Sequence, residues 1–377
     1  MEWPRMKLLI DPEIFFYGRC GMVRYYSALF QELQSREIDI EIPLIFSGSD
    51  FIEGKFQSIE NLKKIIPAGF CWNKIVRVLN KVSKKRYYQK IKEGNYDALF
   101  ITSPVFEDTF FSFLPDNKKT MMVVHDTMRC VLGPDGLYDP AGSNADRLAY
   151  LVDHVSTVFA ISNQTKEDIL SLTPIEEDHI KVVHTGNLLS LHLEKKPPIT
   201  LPERYLLFVG DRTGRKNFRY FIRSIATWLR EGQEELKIVC TGQSNKWELA
   251  LLKKLGVEDK IIYIDSPDDI LVYLYRHAVA LIFPSLYEGF GLPVLEAMSL
   301  GCPVITSTTG ALQEVGGDAV VYVDPTIATS ILEGVKSIVE DPAKRQALSV
   351  KGLTQAKKFT LSNMADIFEN EIKKSII

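Results

Sequence analysis

The 377-residue chain reads as an α/β protein of two similar domains, each a parallel sheet covered by helices. Three observations predict this. Short β-rich runs alternate with helical patterns almost throughout, the rhythm of parallel sheets. A proline cluster, Lys195-Lys-Pro-Pro-Ile-Thr-Leu-Pro202, interrupts that rhythm near the middle. The polar and glycine-rich segments fall just after apolar runs, where open α/β sheets bind their ligands.

In the first half, strands are expected at Lys7–Ile10, Asp39–Phe46, Ala98–Thr102, Thr120–Val124 and Thr157–Ile161. Val23, Tyr26, Phe30 and Leu33 recur at helical spacing after the first of them. Beyond the prolines a second series is expected at Tyr205–Val209, Leu236–Val239, Ile261–Ile264, Val279–Phe283 and Val304–Thr306. Helical patterns at Asn217–Leu229 and Lys246–Leu255 separate these. The domains are therefore drawn as residues 1–197 and 198–358, followed by a terminal helix in 359–377. There is neither an internal repeat nor a low-complexity tract.

Composition narrows the function classes. With 46% hydrophobic and 25% charged residues and a net charge of −3, nothing marks a nucleic-acid binder. No apolar run approaches the roughly 18 residues of a membrane span. The opening Met1-Glu-Trp-Pro-Arg-Met-Lys has no apolar signal-like segment, so export is not expected. Cys20, Cys71, Cys130, Cys240 and Cys302 are scattered and odd in number, which suits a reducing cytoplasm better than a disulfide framework.

The most informative stretch runs from Ser285 to Met298. It follows an apolar run, turns through Gly289 and Gly291, and opens a helix at Pro293. Proline suits a first helical turn because its missing N–H would lack a partner there anyway. The glycines let backbone N–H groups approach an anion at the positive helix end. Glu288 precedes that helix and Glu296 lies within its first turns, with seven residues between them. One carboxylate can serve each end of a phosphate-bearing ligand with hydroxyl groups on both sides.

Gly210-Asp-Arg212-Thr-Gly-Arg215-Lys216-Asn217 concentrates three cations just after an apolar run. Arginine can clamp phosphate oxygens bidentately and lysine adds a point charge. One well-placed donor of this kind typically contributes roughly 2.7–4 kcal/mol to a barrier. A solvated basic turn accounts for the same residues about as well. The spacing of the glycines is not that of a Walker loop. Gly18-Arg-Cys-Gly21 sits between the first strand and its helix but lacks the third glycine of a dinucleotide fingerprint, so a plain tight turn is also open. His125-Asp126 ends a strand and could orient a sugar or relay a proton; an isolated histidine is more often structural.

Metal binding finds little support, since the chain has no Asp-x-Asp, no His-Glu-x-x-His and six dispersed histidines. The run Lys74–Lys92 is different: Ile75, Val78, Leu79 and Val82 form an apolar stripe among many cations, with Phe56, Phe70 and Trp72 upstream. Such a helix suits an anionic membrane surface, although a solvated helix with one side toward a core is the commoner case.

Together the strings PSLYEGFGLPVLEAMSLGCPVITS, VGDRTGRKN and TTGALQEVGGDAVVYVDP resemble retaining glycosyltransferases of family 4, with the E-x7-E signature. The resemblance covers nearly all of the second domain. Across the first, YGRCGMVRYYSALFQEL, VVHD and AISNQTKEDI match in outline. It implies the GT-B fold, two Rossmann-like domains facing each other across a cleft, with the terminal helix packing back on the first domain. It implies that Arg212 and Lys216 grip the donor diphosphate with the N–H groups of Gly291 and Leu292, and that Phe290 belongs to the donor site. Glu296 would hold ribose hydroxyls and Glu288 hexose hydroxyls; Gly21 would approach the diphosphate and His125 the transferred sugar. No metal or other cofactor is implied. The reaction would retain anomeric configuration, through same-face attack in which the leaving phosphate oxygen takes the acceptor's proton.

There are departures from the family pattern. Asp211 follows Gly210 where a small or basic residue is common, which displaces Arg212 from the usual arginine position. Gly18-Arg-Cys-Gly21 lacks the adjacent glycine pair, and Phe359-Thr-Leu361 stands in place of Phe-x-Trp. The leading expectation is transfer of a hexose, with mannose favoured, from a GDP- or UDP-linked donor to a saccharide or lipid-linked saccharide in surface polysaccharide synthesis. The enzyme would be cytoplasmic or peripheral on the inner membrane face. The competing readings are a nucleotide-sugar epimerase or phosphorylase on the same fold and a non-catalytic nucleotide-sugar binding subunit.

Overall fold

A computed structural model describes residues 6–16, 21–44, 46–47, 56, 60–61, 72–102, 114, 119–131, 145–212 and 214–374. The chain divides into two compact units. One holds the described residues up to Leu188 together with the helix Leu361–Lys374, and the other holds Leu189–Thr360.

The sheet of the first unit is built from β1 (Lys7–Ile10), β2 (Asp39–Glu41), β3 (Ala98–Ile101), β4 (Lys119–Val124), β5 (Thr157–Ala160) and β6 (Ile180–Val182). All neighbours are parallel, in the order β2-β1-β3-β4-β5-β6. The second unit has β7 (Arg204–Phe208), β8 (Leu236–Thr241), β9 (Ile261–Ile264), β10 (Ala280–Phe283), β11 (Val304–Ser307) and β12 (Val321–Val323). Its order is β9-β8-β7-β10-β11-β12, again fully parallel. That is the doubly wound dinucleotide-type order, whose ligand crevice lies where the order reverses. Every residue of β3, β10 and β11 is buried, as central parallel strands covered on both faces must be.

Helix α1 (Gly21–Ser35) buries Val23, Tyr26, Phe30 and Leu33, the face its spacing predicts. Helix α2 (Trp72–Glu93) turns Ser83, Tyr87 and Ile91 inward, while Val78 and Val82 are 59% and 41% exposed. Helices α3 (Phe218–Gly232) and α4 (Lys246–Leu255) cover the second sheet through Phe218, Phe221, Ile222, Ile225, Leu251 and Leu252. Helix α5 (Leu292–Ser299) follows β10. The final helix, α6 (Leu361–Lys374), belongs to the core of the first unit. Its Phe368 ring lies 4.3 Å from Phe159 and 5.7 Å from Phe100, and Arg36, just past the end of α1, binds the carboxylates of Asp366 and Glu369.

The expected strand Asp39–Phe46 is cut short. Pairing with β1 ends at Glu41, and Pro43, which has no N–H to give a ladder, follows two residues later. Phe46–Ser47 instead pairs with Glu60–Asn61 outside the main sheet. The three-residue edge strands β6 and β12 escaped prediction because so short a run shows no period. The chain changes unit at Leu188/Leu189, ahead of the 197/198 boundary drawn from the prolines. The segment between is fastened to the second unit, where Arg276 pairs with Glu194 and Lys195 N–H donates 3.0 Å to the Asp269 carbonyl. Gly18, Arg19, Cys20 and Phe70, and the side chains of Trp72, Lys74 and Ile75, lie outside the described residues.

Asp11 joins the ends of β1 and β3. Its N–H donates to the Phe100 carbonyl at 2.9 Å, and its carboxylate accepts from Glu13 N–H at 3.0 Å and Thr102 Oγ1 at 3.3 Å. Burial nonetheless raises its pKa from 3.8 to about 7, the two hydrogen bonds only partly offsetting it. Between those values the folded state holds a proton that the unfolded state has released. Stability from this group therefore falls as pH rises from about 4 to about 7, by at most about 1.4 kcal/mol per pH unit. Asp11→Asn should gain stability relative to the parent over that window in denaturant titrations. A difference between the two proteins that does not vary with pH would refute the assignment.

Candidate functional site

The strand order of the second unit reverses between β7 and β10, which pair through Leu206↔Ala280 and Leu207↔Leu281. Right-handed crossovers send the following helices to opposite faces at such a point and leave a crevice beyond the strand ends. The basic turn leaves β7 and the acidic loop leaves β10. Two segments whose strands pair residues 74 positions apart in sequence, Leu206 with Ala280, thus emerge side by side.

Gly210 opens the basic turn at φ +108, a conformation that favours glycine, and its N–H donates 3.0 Å to Thr241 Oγ1. Gly214–Lys216 makes one 3-10 turn, and Asn217 at φ +61 reverses the chain into α3 while its amide donates to the Pro325 carbonyl at 2.8 Å. Leu286 N–H donates 2.7 Å to the Arg215 carbonyl and ties this turn to the acidic loop. Lys216 Nζ then lies 2.8 Å from Glu288 Oε1 and 4.1 Å above the Phe283 ring. Arg215 Nη2 is 3.8 Å from Glu288 Oε2. Both members of the lysine pair are nearly buried, at 8% and 6% exposure. Burial pushes the Lys216 pKa below the usual lysine value, and the Glu288 charge is the main force opposing that.

The acidic loop has its own supports. Ser307 and Thr309 hydroxyls donate to the Ser285 carbonyl, the latter at 2.8 Å, and Ala311 N–H donates 3.0 Å to the Glu288 carbonyl. Phe290 is buried edge-on against Phe359, with ring centres 5.7 Å apart. Gly291 at φ +106 starts α5 one residue before the expected position, with Leu292 first and Pro293 next in the helix. A Cβ on Gly291 would meet Leu312 at 2.6 Å. No side chain caps this helix, so its first N–H groups, beginning at Leu292, retain anion-binding capacity. Glu296 is buried one turn on, its Oε2 accepting from Tyr275 Oη at 2.9 Å.

Arg212 is placed differently from Lys216. Its Nε lies 2.6 Å from Glu248 Oε1, its terminal nitrogens donate to the Thr241 and Gln243 carbonyls, and it stacks 5.2 Å over Tyr263. Tyr263 Oη donates 2.9 Å to the same Glu248 oxygen. The guanidinium is turned into the protein. Sequence reasoning did not single out Glu248, Tyr263 or Tyr275. Glu248 was legible as the fourth residue of Asn245-Lys-Trp-Glu, a helix-start pattern, and Asn245 does cap α4 at 3.0 Å. Its side chain serves Arg212 instead of the cap.

In the first unit, His125 follows β4. Its Nε2 is 2.9 Å from Tyr26 Oη, and it meets the Tyr25 and Tyr26 rings edge-on at 4.7 and 5.2 Å. Burial lowers its pKa from 6.5 to about 4, so the ring is neutral at pH 7 and acts as a hydrogen-bonding group. Asp126 is exposed and accepts from Met128 N–H at 3.1 Å. Gly21 is the exposed first residue of α1, and a Cβ there would meet nothing within 4 Å. Among the described residues, Glu176, Asp178 and His179 form the one cluster of metal-type ligands, fully on the surface of the first unit.

Solved structures of the same architecture cover almost the whole chain. That of Anabaena HepE in complex with UDP and glucose aligns with a TM-score of 0.71 at 16% identity, covering 98% of this chain and 100% of that one. That of WaaG, a glycosyltransferase involved in lipopolysaccharide biosynthesis, aligns with a TM-score of 0.69 at 16% identity, covering 97% and 99%. The fold is GT-B. Residues 192–354, within the second unit and spanning all the site residues just described there, match the family model of glycosyl transferases group 1. O-antigen chain mannosyltransferase B of Escherichia coli is 30% identical over 239 residues, 58% of this chain and 62% of that protein. O-antigen chain mannosyltransferase RfbU of Salmonella typhimurium is 30% identical over 187 residues, 49% and 51% respectively. The chain thus spans between about half and three fifths of these curated relatives. No described helix of the GT-B units is long and apolar enough to cross a membrane.

The support beneath Glu288 can be tested directly. Gly310 has φ +58, and a Cβ there would stand 2.4 Å from the Glu288 carbonyl oxygen. Gly310→Ala should destabilise the protein by roughly 1–3 kcal/mol from backbone strain alone, with more from the overlap. Denaturant melts measure this, and a variant as stable as the parent would show that the loop is not braced there.

Proposed function

We propose that this protein is a retaining family 4 glycosyltransferase that moves a hexose from a nucleoside diphosphate sugar to a saccharide or lipid-linked saccharide. The observation that carries this reading is the Lys216–Glu288 pair at the reversal of strand order, beside an uncapped helix start. It supplies a cation and backbone donors for a diphosphate, with carboxylates on either side for hydroxyl groups. The O-antigen mannosyltransferases among the relatives favour mannose as the hexose and surface polysaccharide as the product. HepE, solved with UDP and glucose, supports a nucleotide-linked donor; the donor is GDP- or UDP-linked.

In this reading the diphosphate competes with Glu288 for the Lys216 ammonium. Lys216 and Arg215 face the phosphate oxygens, with the N–H groups of Gly291 and Leu292 at the helix start. Glu288, released from Lys216, accepts from hexose hydroxyls, and Glu296, already oriented by Tyr275, accepts from the ribose. Phe290 shapes the apolar wall, and Arg212 positions the turn from behind through Glu248. Gly21 and His125 of the first unit serve the diphosphate and the transferred sugar. The bond between the anomeric carbon and the phosphate oxygen breaks as the acceptor oxygen attacks from the same face. The acceptor's proton passes to that phosphate oxygen. These cations and the helix end stabilise the departing charge without a metal ion.

Lys216→Ala and Glu296→Ala should each lower turnover by at least about 100-fold, the usual cost of one such group, while both variants still melt cooperatively. Near-parental turnover in both would remove the assigned site.

Helix α2 supports a peripheral position on the inner membrane face. Its outer side exposes Val78 and Val82 among the exposed cations Lys81, Lys85 and Arg86. Each such cation near an anionic surface contributes about 1 kcal/mol. Reversing Lys81, Lys85 and Arg86 to Glu should weaken binding to phosphatidylserine-containing vesicles at low salt at least tenfold. Unchanged sedimentation with the vesicles would make α2 an ordinary solvated helix.

A further inference from the structure

Behind the basic turn, the second unit has a cavity of about 470 Å³ between the starts of α3 and α4, which shares only Arg212, Gly214 and Asn217 with the residues described above. Its size falls within the range of small-ligand sites, about 300–1,000 Å³. Lys216, Glu288, Phe290, Leu292 and Glu296 do not line it. Its walls are made by Arg219, Tyr220 and Arg223 of α3 and Trp247 of α4, with Arg212 and Asn217 between them.

The chemistry of these walls is one-sided. Arg219 and Arg223 are exposed and one helical turn apart, so their guanidinium groups share a face. Among the described residues no carboxylate lines the cavity to neutralise them. Arg212 adds little net charge because Glu248 is already paired with it. Both rings are open to solvent: Tyr220 is 36% and Trp247 39% exposed. Tyr220 is held in place by its hydroxyl, which donates 2.6 Å to the Thr326 carbonyl. Large exposed rings beside convergent polar groups mark a binding surface.

We propose that this cavity is a second site, for a hexose phosphate. Two guanidinium forks can divide the three oxygens of a phosphate monoester between them, whereas a carboxylate would satisfy one fork. The flat Trp247 face covers the apolar side of the pyranose, and Tyr220 closes the opposite wall. The site is separate from the proposed transfer chemistry and does not depend on it.

Calorimetric titration with mannose 6-phosphate tests this, using mannose and inorganic phosphate as partial probes. Saturable binding is expected for mannose 6-phosphate, with each partial probe at least tenfold weaker. The Arg219→Gln/Arg223→Gln double variant and Trp247→Ala should each weaken mannose 6-phosphate at least tenfold. These side chains are exposed, and an unchanged thermal melt checks that the variants remain folded. Absence of saturable binding, inorganic phosphate binding as tightly as the sugar phosphate, or unaltered affinity in the folded double variant would each overturn the proposal.

Discussion

The second unit is organised around a charge that cannot be left alone. Lys216 is buried beyond the end of a central strand, where an unpaired ammonium would be strongly unfavourable. Glu288 from the neighbouring loop meets it at 2.8 Å, and the Phe283 ring lies beneath. This pairing is available because β7 and β10 are adjacent and the connections that follow them diverge. The backbone bond from Leu286 to Arg215 fixes the same two loops independently of charge. The ion pair therefore need not carry the whole task of holding the crevice together. A buried pair can be broken at tolerable cost only when a ligand replaces the lost partner, and a diphosphate could do so.

A second buried pair, Arg212–Glu248, stands behind the first and behaves differently. Its arginine spends its donors on two carbonyls and a carboxylate, and its aromatic neighbour Tyr263 serves the same carboxylate. Releasing it would leave several buried polar groups without partners at once. Physical chemistry thus separates two arginines that look equivalent in a basic turn. Arg212 is locked, whereas Arg215 is a quarter exposed at its side chain and only loosely paired at 3.8 Å. Under the proposed function, the positive charge offered to the diphosphate comes from Lys216 and Arg215.

Much of this was legible in the sequence because periodicity and turn chemistry are local. The helical spacing of Val23, Tyr26, Phe30 and Leu33 marked the buried face of α1, and Ile261–Ile264 and Lys246–Leu255 fell where their apolar patterns lie. The glycine before Pro293 announced the start of α5. What could not be read was partner choice across long separations. Nothing local says that Glu248 serves Arg212, that Tyr275 meets Glu296, or that Phe290 packs on Phe359. In α2 the apolar stripe suggested a core-facing side, yet Val78 and Val82 point outward and Ser83, Tyr87 and Ile91 are the buried positions. Hydrophobic spacing gives a face, and the rest of the fold decides which way it turns.

The loop that carries Glu288 shows how a site can be rigid and still exchange partners. Its backbone is held by Ala311 N–H and by the close approach of Gly310, which leaves no room for a side chain. Ser285 is fixed through its carbonyl by Ser307 and Thr309. None of these contacts uses the Glu288 carboxylate. The main chain is therefore positioned by small residues from the loop after β11, and the carboxylate is free of that duty, bound only to cations that a phosphate would also attract. Under the proposed function, separating the two tasks would keep the crevice in register while its charges change partners. It also explains why the conformationally special residues of this region, Gly210, Gly291 and Gly310, surround the charged pair. All three take a positive φ, Gly310 also lets the Glu288 backbone come close, and Gly291 leaves room for the Leu312 side chain.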